Sequence, residues 1–165
     1  MKKIIVILSV LIMSFGMTLS ALDFTTVSEL SNNDEMFMDM AVSAAKKSAA
    51  SNNPAAGAVI IRSGAWRSTG TPDADKTAEE VAYIKSRLSN LAGASVYTVN
   101  EPITMVVNLL NSLGVDAIYF SNTRDEVVAA GVYPASAYND DKLDKTVKQA
   151  PVIRLIFEDA SMLLK

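Results

Sequence analysis

Residues 56–70, Ala56-Gly57-Ala58-Val59-Ile60-Ile61-Arg62-Ser63-Gly64-Ala65-Trp66-Arg67-Ser68-Thr69-Gly70, decide the fold. Ala56–Arg62 is a continuous apolar run and reads as a buried strand. Gly64 is a turn signal, and Ala65–Gly70 reads as a second, shorter strand. Together they predict a hairpin.

Working upstream, Asn52, Asn53 and Pro54 break a helix predicted from near Asp34 to about Ala50, capped by Asn33 or Asp34. Phe37, Met40, Ala41, Ala44 and Ala45 recur at helical spacing and form its inward stripe. Leu22–Asn33 is polar and reads as a linker. Downstream, Thr71–Lys76 is a charged loop. Thr77 followed by Glu80 fits a capping box, opening a helix with Val81, Ile84, Leu88 and Leu91 on one face. Ser95–Val99 is a strand. Pro102 opens a third helix, which runs to Leu113 with Val106, Leu109, Leu110 and Leu113 inward, and Gly114 ends it. Val115–Phe120 is a strand, Asp125–Ala130 a helical turn, and Tyr133–Lys148 polar and irregular. Pro151–Phe157 is the last strand and Glu158–Leu164 the terminal helix. The order α-β-β-α-β-α-β-α-β-α predicts one α/β domain over residues 34–165. It is a three-layer α/β/α arrangement around a mixed five-stranded sheet.

The amino end has its own logic. Lys2 and Lys3 precede the apolar run Ile4–Phe15, and small residues follow at Gly16, Thr18, Ser20 and Ala21. This succession reads as a secretory signal peptide over residues 1–21, cleaved after Ala21 or Ser20. The competing reading is an uncleaved anchor, because no charge lies between Lys3 and Asp23. Cleavage predicts a periplasmic or secreted protein with no membrane contact once the signal is removed.

Composition then narrows the function. The chain has 165 residues, half of them hydrophobic, enough for one real core. Its 15 Lys and Arg against 18 Asp and Glu give a net charge of −3, which argues against nucleic acid as a partner. It contains no Cys and no His. Disulfides, thiol nucleophiles, imidazole bases and Cys/His zinc sites are therefore excluded.

Three stretches resemble cytidine-deaminase-like enzymes, especially the guanine deaminase and tRNA adenosine deaminase branch. Ala56-Gly57-Ala58-Val59-Ile60-Ile61 is similar to that branch's G-A-V-I-V strand. Asp73-Ala74-Asp75-Lys76-Thr77-Ala78-Glu79 resembles D-P-T-A-H-A-E. Tyr97-Thr98-Val99-Asn100-Glu101-Pro102-Ile103-Thr104-Met105-Val106 resembles Y-V-T-L-E-P-C-P-M-C, and Ala129-Ala130-Gly131 sits at a Gly-rich stretch of the branch. The resemblance covers about residues 34–131. It implies a cytidine-deaminase-like fold, in which one His and two Cys hold a zinc that activates water and a Glu shuttles protons. The matching ligand positions here are Thr77, Ile103 and Val106, and only the proton-shuttle position is kept, as Glu79. The resemblance thus implies a relic with no metal, no cofactor and no deaminase activity, in which Ile103 and Val106 fill the metal hole beside Thr77 or Ala78. The expected function is a pseudoenzyme that binds a small molecule or a protein through a cleft near Glu79, Tyr97 and Glu101. The alternatives are a deaminase-type hydrolase working without the usual zinc, or a structural oligomer subunit, since deaminase-like folds commonly form dimers.

The remaining clusters have plainer readings. Asp73, Asp75, Glu79 and Glu101 fit no cation loop and read as solvated charge. Met36, Met38 and Met40 could ligate Cu(I), but a helix points Met38 away from the other two, so they read as core. Trp66, Tyr83, Tyr97 and Phe120 could stack a base, and likewise read as core.

Overall fold

In the computed structural model, which describes residues 22–164, the chain opens with β1 (Thr25–Val27), α1 (Asn32–Ala50) and the hairpin β2 (Ala58–Arg62) and β3 (Ala65–Gly70). It continues through α2 (Ala78–Ser86), β4 (Ala94–Thr98), α3 (Thr104–Ser112), β5 (Ala117–Phe120) and α4 (Arg124–Ala129). Single 3-10 turns at Ala135–Ala137 and Asp140–Lys142 lead to β6 (Val152–Leu155), α5 (Glu158–Ser161) and a last turn at Met162–Leu164. The expected signal peptide, residues 1–21, lies outside the described residues.

Side-chain alternation along the strands builds both cores. Ala58, Ile60, Val96, Ile118 and Phe120 pack with Ala78 and Ala82 of α2 and Val106 and Leu110 of α3. The intervening Val59, Ile61, Tyr97 and Val99 pack with Phe37, Met38, Ala41 and Ala45 of α1 and Ala160 of α5. The three-layer α/β/α arrangement is thus the observed one. Strand order is β1-β6-β5-β4-β2-β3. β2 is antiparallel to β3 and β4, while β4, β5, β6 and β1 run parallel.

Two glycines set how closely the helices approach the sheet. A Cβ at Gly57 would collide with the Ala41 carbonyl of α1, and one at Gly70 with the Ala78 carbonyl of α2. Both positions need a residue without a side chain for reasons of space.

The sheet has six strands among the described residues, one more than the sequence predicts. The extra strand is β1, inside the segment read as a linker, pairing Thr25 with Ile153 and Val27 with Leu155. Three residues with two threonines carry too little alternation to announce a strand. Phe24 packs edge-on against Phe120, ring centroids 5.1 Å apart, so the folded unit starts before residue 34. Helix α1 begins earlier too, because Ser31 is its cap and forms a capping box with Asp34. Met38 is fully buried, whereas Met36 is exposed. Helix α2 stops early at Arg87, which adopts a left-handed φ of 56°. The inward face of α2 is Ala78, Val81 and Ala82, so Ile84 turns to solvent, and Leu91 reaches the core from the following loop. Among the described residues, no helix is long and apolar enough to cross a membrane.

Candidate functional site

The amino ends of α2 and α3 feed the same core, through Ala78 and Val106. At the α2 end, Thr77 is the cap. Its N–H donates to Glu80 Oε2 at 2.8 Å, and its hydroxyl accepts from the Glu80 N–H at 3.4 Å. The predicted capping box is present. Glu79, one residue further into the helix, is buried and accepts a 2.6 Å hydrogen bond from the Thr98 hydroxyl of β4. Burial pushes its carboxyl above the usual range, and the Thr98 bond only partly offsets this. Burial likewise raises the Tyr133 hydroxyl, and the nearby Glu79 charge raises it further.

The α3 end is finished differently. Ile103 is the cap and makes no side-chain capping bond. Val106 is fully buried, while Ile103 is only partly buried against the same cluster. Both residues pack against the cluster that includes Ala78, Val106 from inside it and Ile103 from its edge. The cap position leaves part of the Ile103 side chain in solvent.

Just before this helix, Glu101 anchors a buried charge network. Arg124 donates from Nε to Glu101 Oε1 at 2.8 Å and from its backbone N–H to Glu101 Oε2 at 2.9 Å. The same guanidinium reaches Asp140 Oδ2 at 3.0 Å. Tyr138 lies under the guanidinium, 5.2 Å from ring centroid to Cζ, and donates its hydroxyl to the Glu101 carbonyl at 3.0 Å. The Asn139 N–H donates to Thr104 Oγ1 at 2.7 Å. The irregular stretch 133–148 is thus strapped across the start of α3 by a set of charged and neutral bonds.

These contacts sort the residues expected to share a cleft. Glu79 faces α2's side of the sheet. Tyr97 is on the opposite face, because it is one residue out of phase with Thr98. There it donates to Asp34 Oδ1 at 2.8 Å and stacks on Tyr119 at 4.5 Å. Glu101 is 1% exposed and spends its carboxylate on Arg124, so it lines no opening. The three do not form one cleft. What opens beside the α2 end is a cavity of about 200 Å³, walled by Asn53, Pro54, Asp73, Thr77 and Tyr133. Trp66, Tyr83, Tyr97 and Phe120 do not meet there either, since Phe120 is core and Trp66 is exposed on the end strand.

The zinc implied by the sequence resemblance does not fit these residues. The Thr77 hydroxyl is a neutral cap oxygen, and Ile103 and Val106 offer hydrocarbon where thiolates would be needed. Among the described residues, no group of three or more His, Cys, Asp or Glu could hold a metal ion.

Sequence reading did not single out Thr98, Arg124, Tyr138 and Asp140 as partners in this region. Thr98 was within reach, since period-2 alternation from Val96 puts it on the α2 face. The other three are joined by pairings up to 37 residues apart, which no local pattern announces.

Sheet order, helix placement and the paired amino ends of α2 and α3 define the cytidine-deaminase-like fold, and this chain has it. A solved tRNA:A34 deaminase, of the kind that performs A-to-I editing at the wobble position of transfer RNA, superposes with a TM-score of 0.61 at 21% identity, over 79% of this chain and 99% of that one. Guanine deaminase from Bacillus subtilis superposes with a TM-score of 0.59 at 21% identity, over 74% and 83% of the two chains. Guanine deaminase from Nitrosomonas europaea gives 0.62 at 17% identity, over 84% and 85%. No family model matches this chain, and no curated protein sequence matches it.

Proposed function

We propose that this chain is an exported deaminase-fold protein without catalytic zinc, a pseudoenzyme that acts as a binding module for a small molecule or a protein. One observation carries the reading. The positions matching the zinc ligands are Thr77, Ile103 and Val106, in a chain with no His or Cys at all. Without a Lewis acid, the water attack of this family has no means of generating hydroxide near neutral pH. Glu79 does not replace it. A carboxylate bonded to Thr98 can move a proton, but the neighbouring Glu80 carboxylate is engaged in the Thr77 capping box. Export rests on the Lys2–Lys3, Ile4–Phe15 and Ala21 succession.

The cavity between Asn53, Thr77 and Tyr133 is the small-molecule candidate on this reading. The test is a thermal-shift screen of nucleobases and nucleosides run beside an ammonia-release assay on the same compounds. A bound compound raises the melting temperature by mass action. A shift with no ammonia supports a small-molecule binder. Turnover of any compound overturns the pseudoenzyme reading. Intact mass of the native protein tests export: loss of about the first twenty residues supports it, and a full-length cytoplasmic chain contradicts it.

A further inference from the structure

We propose that Met36 and Met40 of α1 bind one soft monovalent cation, Cu(I) or its analogue Ag(I), at the surface of the molecule. Three of the chain's eight methionines fall within residues 36–40. The helix separates them. Met38 is fully buried in the core beneath α1, whereas Met36 is 49% exposed. Met40 packs only partly on that core. Met36 and Met40 line one surface depression of about 880 Å³, and Met38 is not part of its wall.

Residues four apart on a helix stand on one face, with Cβ atoms about 6 Å apart. Two methionines at that spacing can turn both thioethers toward one ion, because each side chain has three rotatable bonds. Glu35 and Asp39 make a second pair at the same spacing, immediately beside the first, and line the same depression. Among the described residues, neither carboxylate makes a hydrogen bond or an ion pair. Two thioethers and two unpaired carboxylates thus share one patch, little more than a helical turn long.

This combination selects the class of ligand. An apolar partner would have to desolvate the two carboxylates without pairing them, which is costly. A cation is attracted by both. Thioether sulfur is soft and uncharged, and it selects Cu(I) over hard cations such as Mg²⁺ and Ca²⁺, which take oxygen ligands. The sulfurs supply the bonds and the carboxylates the attraction. The two lysines of the depression belong to other turns: Lys47 is seven residues past Met40, about 10 Å along the helix, and Lys85 is on α2. Neither the cavity at α2 nor the zinc-ligand positions enter the site, so its failure would leave the pseudoenzyme reading intact.

The test is Cu(I) binding by the purified protein without oxygen, in competition with a chromogenic Cu(I) chelator. Circular dichroism confirms that each variant folds, and Met-to-Leu changes are close to volume-conserving. The wild type should take one Cu(I) per chain. Met36→Leu and Met40→Leu should each weaken binding at least about tenfold, since disturbing even the support of a metal ligand costs that much. The double variant should bind none. Met38→Leu and Met105→Leu should bind as the wild type does. Met38 is buried away from the depression, and Met105, though 56% exposed, has no methionine three or four residues away. A wild type that takes up no Cu(I) would overturn the proposal. So would folded Met36→Leu and Met40→Leu variants that bind as tightly as the wild type, or an equal loss in Met38→Leu or Met105→Leu.

Discussion

The amino ends of α2 and α3 meet one core and are built from opposite chemistry. The α2 end is polar: Thr77 caps it, Glu80 completes the box and Glu79 is buried on a Thr98 hydroxyl. The α3 end has hydrocarbon at Ile103 and Val106 and takes its polar support from outside, through Glu101, Arg124, Asp140 and the strap at 133–148. A helix start can be stabilised from within or by a neighbouring loop, and this molecule uses each solution once. In the deaminase fold both ends would have to supply donors to one metal. Here one end carries a buried acid, Glu79, and the other carries hydrocarbon at Ile103 and Val106.

Breaking the external support should cost most. Arg124→Ala leaves Glu101 and Asp140 buried without their cation, and should lower stability by about 3–5 kcal/mol in urea unfolding. A loss below about 1 kcal/mol would mean that the strap contributes little to the α3 end. Truncating the hydrocarbon comes next. Ile103→Ala should cost about 1–2 kcal/mol, less than a fully buried isoleucine, because the cap position leaves part of its side chain in solvent.

The internal support of α2 is smaller still. Thr77→Ala removes one cap and should cost about 1 kcal/mol in the same experiment. Its effect should be independent of Arg124→Ala, and a strongly non-additive double variant would show the two ends to be one unit. The smallest effect concerns Glu79 and depends on pH. Burial raises its folded pKa, so the folded chain holds this proton to higher pH than the unfolded chain. The contribution is therefore complete below the ordinary glutamate range and is lost as pH rises through that range toward the folded value. Glu79→Gln should remove this downward slope from a plot of stability against pH. An unchanged slope would assign it to other groups.

How much of this was legible in the sequence differs between the two ends. The α2 end was readable because its signal is local: Thr77 and Glu80 are three residues apart, and a capping box is a fixed pattern. Hairpin, sheet class and helix order were readable for the same reason, through apolar periodicity over short windows. The network at α3 was not, because Glu101, Arg124 and Asp140 come from three separate elements that only the tertiary fold brings together. β1 escaped notice because two of its three residues are threonine and it lies at the sheet edge. Tyr97 does not share a cleft with Glu79 because a one-residue offset from Thr98 on β4 sends its side chain to the other face of the sheet. Residue types alone were enough to question zinc; no element assignment was needed for that.

Zinc stoichiometry tests the central claim most directly. The purified wild type and the Thr77→His, Ile103→Cys, Val106→Cys triple variant would be equilibrated with equimolar zinc, dialysed and measured for metal per chain. The wild type should retain well under one zinc, since the positions matching the ligands, Thr77, Ile103 and Val106, offer one neutral hydroxyl and two hydrocarbons. The triple variant should retain close to one, because an imidazole and two thiolates would then stand at the ends of α2 and α3. One zinc held by the wild type, or none by the folded triple variant, would contradict the account.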